Sequence, residues 1–299
     1  MTLDLEAAAG ALAADRESGA SALVARAVSL LAQARGEGRE VLDRAAALVC
    51  RAQPAMAPLW NAAGLALADA ADQGIRLERF AQQSGRALEA IARLAADLVE
   101  DNGGGERRLA TCSSSGSVLA ACQALAARGP LRVACAEGRP ALEGRQLAAR
   151  LAASGIAVDF YSDAGLGHGL RHSEALLVGA DAVAPGWFVN KAGTAALAAL
   201  AAHTGLPVYV LAGRDKFLPA GLAQRLSLGG GSPAELWARP AARVTVHNPY
   251  FESIPLDLVA ALVTDTGVIG AGLAAEVCAA NSRLMGPGLE RLRALTAAP

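Results

Sequence analysis

Four apolar runs of this chain each end in residues that can do chemistry. Thr111-Cys112-Ser113-Ser114-Ser115-Gly116 places a thiol followed by three serine hydroxyls just before a helix start. Free backbone N–H groups and the helix dipole favour an anion such as phosphate there. The same field is expected to lower the pKa of the Cys112 thiol. A small cysteine buried at a strand end is the alternative. In Ala136-Glu137-Gly138-Arg139-Pro140-Ala141-Leu142-Glu143-Gly144-Arg145, the fork of Arg139 suits a carboxylate or phosphate, or else Arg139 or Glu137 joins a structural ion pair. Gly179-Ala180-Asp181 sets a carboxylate behind two small residues, which lets a ligand approach closely. A turn or helix cap is its other reading. Gly213-Arg214-Asp215-Lys216-Phe217 adds cations, or forms a solvated loop. Asn190-Lys191 lies just before a helix beginning near Gly193-Thr194, a further candidate anion site or simply an N-cap region.

These groups need a scaffold that brings strand ends together. From RRLATCSS onward, short apolar runs alternate with helical stretches. LRVACAEG, IAVDFYS, ALLVGAD, LPVYVLA, RVTVHNP and LVTDTGVIG read as strands; GSVLAACQALAARG, RQLAARLAASG and GTAALAALAAHTG read as helices. Such alternation implies crossover units and a doubly wound, mostly parallel, Rossmann-like sheet. Ligands of these sheets lie past the carboxyl ends of the strands, where the four motifs fall. Before this region the chain reads as four or five amphipathic helices, with Leu23, Ala27, Leu30 and Leu31 at helical spacing. Asp101-Asn102-Gly103-Gly104-Gly105-Glu106 breaks the pattern, because three glycines in a row have no stable place in a helix or strand. The expected architecture is a helical domain over 1–103 and a Rossmann-like α/β domain over 104–299 carrying the site.

Composition narrows the function. The 27 Lys and Arg against 28 Asp and Glu leave a net charge of −1, which argues against a nucleic-acid partner. Arg107-Arg108 and Arg139 with Arg145 are small basic spots of the kind that solvated surfaces carry. Five cysteines are widely spaced without a Cys-x-x-Cys pair, so neither a disulfide framework nor structural zinc is expected. That usage suits a reducing compartment. The first twenty residues are acidic and lack the basic and apolar segments of a signal peptide. No uninterrupted apolar run approaches a membrane span. A cytoplasmic location without membrane contact is the expectation. His168 and His172 stand four apart, but Gly167 and Gly169 weaken a helix there and no Glu follows the first His, so no metal is expected. No dinucleotide fingerprint, Walker motif or Gly-x-Ser-x-Gly elbow is present, and no cofactor is expected.

Taken in order, several blocks resemble one known family. VGADAVAPGWFVNKAGTAALAALAAHTGLPVYVLAGRDKF is similar to the core of the initiation factor 2B alpha/beta/delta family, which also holds methylthioribose-1-phosphate isomerase and ribose-1,5-bisphosphate isomerase. The resemblance extends through ATCSSSGSVLAAC, EGRPALEGRQLAARLAASGIAV and NPYFESIPLDLVAALVTDTGVIG, and more loosely through ESGASALVARAVSLL and QPAMAPLWNA. It covers residues 105–275 clearly. The isomerases of the family carry a Cys in the first strand-end loop and an Asp in the Gly-Ala-Asp motif; this chain keeps both as Cys112 and Asp181. The resemblance therefore implies a sugar-phosphate aldose–ketose isomerase with these two as its acid–base pair. It implies a small phosphorylated sugar as substrate, with Ser113, Ser114, Arg139, Asn190, Lys191 and Lys216 around it, and a homodimer as the working form. Closure of the helical domain over the site is the step expected to exclude water.

Two departures stand beside the match. Gln53-Pro54 replaces an Arg-Pro, and Glu143-Gly144 replaces a Gln-Gly. A Gln cannot replace the bidentate charged contact of an Arg, and a Glu near a phosphate repels it. A non-catalytic subunit like those of translation initiation factor 2B, regulatory or binding a sugar phosphate or nucleotide, is the alternative that these departures favour.

Overall fold

The computed structural model describes residues 4–15, 18–68, 72–99 and 105–297. Among them, five helices come first: α1 (Leu5–Ala14), α2 (Ala20–Gly36), α3 (Arg39–Ala52), α4 (Ala57–Ala66) and α5 (Gln73–Leu98). The α/β part follows as β1 (Arg107–Thr111), α6 (Gly116–Ala126), β2 (Leu131–Ala136), α7 (Glu143–Ala153), β3 (Ala157–Tyr161), α8 (Leu166–Leu170) and β4 (Ala175–Gly179). It continues with β5 (Ala182–Ala184), β6 (Trp187–Lys191), α9 (Thr194–His203), β7 (Val208–Leu211) and α10 (Ala220–Ala223). The last elements are β8 (Phe251–Pro255), β9 (Ala261–Thr264), β10 (Gly267–Ile269), α11 (Ala274–Met285) and α12 (Pro287–Leu295).

The larger sheet has the order β10-β9-β7-β4-β1-β2-β3, parallel throughout except for β10. Its side chains alternate between two apolar layers, as a pleated strand requires. Leu109, Val133, Leu177, Leu211 and Val263 face α5, α6 and α7. Ala110, Ala134, Leu176, Val178, Val210 and Leu262 face α8, α9 and α11. The sheet is thus buried on both sides, which is why its strands read as continuous apolar runs.

A second, antiparallel sheet of order β5-β6-β8 branches off after β4. It packs with the helical part: Ala182, Ala184 and Val189 share one core with α2, α3 and α4. The chain's end joins the same core through Met285 and Leu292. Gly288 lets α4 and α12 close up, since a Cβ there would lie 2.3 Å from the Gly64 carbonyl, and Gly64 makes room for Met285 at the end of α11.

The structure departs from the sequence reading in two places. RVTVHNP is not a strand: residues 244–248 carry no regular structure, and Pro249 makes an isolated bridge to Gly230. Val244 is exposed, so the alternating pattern has no layer to pack on. LVTDTGVIG is a hairpin, β9 turning into an antiparallel β10. The boundary expected near residue 103 lies outside the described residues. Among the described residues no helix is long and apolar enough to cross a membrane.

Candidate active site at the carboxyl edge of the sheet

Cys112 follows β1 directly, next to the central strand β4 of the larger sheet. Ser113 turns the chain with φ +65°. Ser115 then caps α6, its hydroxyl accepting the Val118 N–H at 3.4 Å. Gly179 at the end of β4 makes room for this turn, since a Cβ there would lie 2.6 Å from Ser115 Oγ. The thiol loop and the Gly-Ala-Asp segment are therefore packed against each other. After Gly179 the chain crosses into the second sheet at Asp181. Its N–H donates to Val189 O at 2.8 Å, and its carbonyl accepts the Ala57 N–H that opens α4, at 2.9 Å. Asp181 thus stands where both sheets and the helical part meet.

Cys112, Ser113 and Lys191 line one cavity of about 260 Å³, together with Gly138, Asp163, Gly193 and an apolar wall of Ala164, Ala196, Leu197 and Leu200. Lys191 is buried and its Nζ lies 2.7 Å from Glu143 Oε1. The same ammonium sits 4.9 Å from the centre of the Tyr250 ring, a cation–π contact. Ser113 Oγ donates to Glu143 Oε1 at 3.2 Å. Glu143 Oε2 is buried with no hydrogen-bond partner. Asn190 Nδ2 donates to Thr194 Oγ1 at 3.1 Å, and the Thr194 hydroxyl donates to Lys191 O at 2.6 Å. Thr194 Oγ1 also lies 3.4 Å from Cys112 Sγ.

The thiol is not activated. It is 6% exposed, and burial pushes its pKa up to about 11. The Thr194 contact opposes this, while Asp163, Glu252 and Glu143 each push further upward. The lowering expected from the helix field is therefore corrected: burial and three carboxylates outweigh it, and Cys112 rests as a neutral acid. Burial also raises the Asp181 carboxyl, with Lys216 and then Lys191 holding it down and Glu143 pushing it up. Cys112 and Asp181 thus both feel Glu143, although Asp181 is not among the cavity-lining residues.

The remaining sequence-derived candidates divide. Lys216 lies in a short 3₁₀ turn, Arg214–Lys216, and acts on Asp181. Two helices hold that turn: Asn61 Nδ2 donates to Asp215 O at 2.6 Å and Phe217 O at 3.0 Å, and Ser84 Oγ donates to Asp215 Oδ2 at 2.6 Å. Ser114 is half-buried beside the cavity residues without lining the cavity. Arg139 is exposed and outside the lining; its backbone N–H, with that of Gly138, donates to Asp163 at 2.8 Å. Glu137 pairs with Arg145 at 3.5 Å. The candidate anion site at the start of α9 is taken by the chain itself, because Glu252 Oε1 accepts the Gly193 and Ala195 N–H groups at 2.8 Å. Gln53 serves the helical part: its Nε2 donates to Leu12 O at 2.9 Å, near the end of α1. The rings of His168 and His172 meet edge to face, 5.4 Å apart. Sequence reasoning passed over Asp163, Thr194 and Glu252 as site residues. Thr194 was visible as a helix start, but no local signal marks the two carboxylates.

The profile of the Initiation factor 2 subunit family matches residues 16–271. The chain is 34% identical to the methylthioribose-1-phosphate isomerase of Anaeromyxobacter sp. (strain K) over 300 residues, 91% of this chain and 88% of that one. It is 28% identical to the ribose 1,5-bisphosphate isomerase of Methanocaldococcus jannaschii over 198 residues, which span 65% of this chain and 63% of that relative, less than two thirds of its length. Among solved structures, the translation initiation factor eIF-2B of Pyrococcus horikoshii OT3 superposes with a TM-score of 0.77 at 25% identity, over 90% of this chain and 98% of that one. The 5-methylthioribose 1-phosphate isomerase of the same organism shares the fold, with a TM-score of 0.65 at 22% identity over 93% of this chain and 87% of that one. Sequence profile and fold agree, and the chain belongs to the Initiation factor 2 subunit family.

Proposed function

We propose that this chain is an aldose–ketose isomerase acting on a sugar 1-phosphate, with Cys112 and Asp181 as its acid–base pair. The observation that carries the reading is the resting state of the site. A buried neutral thiol opens onto a cavity, and the Lys191–Glu143 pair beside it also acts on a buried carboxyl. An aldose 1-phosphate becomes a ketose 1-phosphate when the bond from C1 to the ring oxygen breaks, one hydrogen passes from C2 to C1, and the proton of the C2 hydroxyl passes to the released ring oxygen, while the C1 oxygen keeps its phosphate. Nothing enters or leaves, so one group that gives a proton and one that takes it suffice. Cys112 is the donor and Asp181 the acceptor, a carboxyl that burial raises and that Lys216 and Lys191 hold down. The serine turn entering α6 offers backbone N–H groups to the phosphate. The isomerase relatives support the reaction class.

The second reading, a non-catalytic sugar-phosphate-binding subunit, is favoured by Gln53, whose amide serves α1 and offers no charge to a phosphate. An NMR screen over aldose 1-phosphates and ribose 1,5-bisphosphate separates the two. Turnover lost in Cys112→Ser and in Asp181→Asn supports the enzyme; binding without turnover supports the subunit; wild-type rates in both variants rule out the acid–base pair. The working form is read as a homodimer, which the mass of the purified chain in solution tests.

A further inference from the structure

Three groups around the Cys112 cavity that could receive an anion are occupied by the chain's own carboxylates. Glu143 takes Lys191 at 2.7 Å. Asp163 takes the Gly138 and Arg139 N–H groups, and Glu252 takes those that open α9. Beyond them the cavity wall is apolar, through Ala164, Ala196, Leu197 and Leu200. Glu143 is also fixed in place. It opens α7, and Gly144 behind it packs so tightly that a Cβ would lie 1.8 Å from the Ala136 carbonyl. Its Oε1 takes Ser113 as well as Lys191, and Oε2 is buried against Gly138, where a Cβ would come within 3.2 Å of it. An anionic group reaching Lys191 must therefore lie against a carboxylate that cannot swing away.

We propose that Glu143 is a specificity-determining residue: it withholds Lys191 from any second anionic group, so the site takes sugar monophosphates with an uncharged far end and disfavours bisphosphates. This rests on the isomerase reading above and names its substrate class. Glu143→Gln keeps the shape and removes the charge. A freed ammonium in a buried site offers a second phosphate a charge-assisted hydrogen bond.

The test is calorimetric titration of ribose 1-phosphate and ribose 1,5-bisphosphate into wild type, E143Q and E143Q/K191Q. Wild type is expected to bind the monophosphate at least as tightly as the bisphosphate. E143Q should tighten the bisphosphate about ten- to a hundredfold and the monophosphate less than about threefold. The double variant should lose that gain, since it runs through Lys191. Wild type preferring the bisphosphate by about tenfold or more overturns the proposal without any variant, which covers an E143Q that does not fold. An unchanged ratio in folded E143Q also overturns it, while monophosphate binding and turnover leave the isomerase reading standing. Binding of neither compound to any of the three proteins overturns both.

Discussion

Alkylation of the native protein by iodoacetamide, followed across pH, reads the resting state of Cys112 directly. The thiolate is the reacting species, so the rate at each pH reports its fraction. Burial lifts this thiol from an ordinary 9.0 to about 11. Two pH units mean about a hundredfold less thiolate at pH 8 than in an ordinary cysteine, roughly one part in a thousand. Cys50, Cys122, Cys135 and Cys278 are buried as well, and burial holds each of them above its usual value. Cys112 is the thiol among the cavity-lining residues, so it is expected to be labelled first. The labelling rate, measured by intact mass and peptide mapping, should climb about tenfold per unit from pH 7 to 10 without a plateau. It should vanish from the first labelled site in Cys112→Ser. Stability follows the same proton. The folded chain keeps it where the unfolded chain has lost it, so this contribution is whole below pH 9 and fades as pH rises toward 11. Denaturation midpoints should fall over that window more in wild type than in Cys112→Ser. Labelling that levels off near pH 7 or 8 would mean that the α6 field prevails over burial, and Cys112 could not be the resting acid.

Three further outcomes are expected. Glu252→Ala should cost about 1 kcal/mol in thermal melts by uncapping α9, and it should speed Cys112 labelling, because that carboxylate raises the thiol's pKa. Gly144→Ala should lower stability by about 2–3 kcal/mol in denaturant titration, since the new Cβ meets the Ala136 carbonyl. Ser84→Ala should cost about 1.5–3 kcal/mol by removing the hydroxyl that meets the Asp215 carboxyl. It should also weaken turnover, as Asp215 belongs to the turn that carries Lys216.

The parallel sheet was legible because its strands are buried on both faces: runs such as Leu176–Val178 and Val208–Leu211 read as strands without context. The positions of Cys112 and Asp181 just past β1 and β4 were legible because strand-end loops are short. The second sheet was not. Ala182–Ala184 is too brief to show a period, and Trp187–Lys191 finds its partner only in Phe251–Pro255, far along the chain. The alternation in RVTVHNP misled for the converse reason, a strand-like pattern with no neighbour to pair with. The Cys112 pKa was illegible because burial and three carboxylates from separate loops and elements set it. The pairing of Lys191 with Glu143 was illegible for the same reason, since the two meet only in three dimensions.

The seating of α12 on α4 bears on how the chain is made. Leu59 and Leu65 belong to a core that Met285 and Leu292 complete, and Arg291 adds a 2.6 Å ion pair to Asp43 on α3. A ribosome delivers those partners long after α3 and α4. These two helices therefore wait with an uncovered apolar face until α11 and α12 emerge, and removing α12 should leave a chain that chaperones hold and proteases cut within α3 and α4.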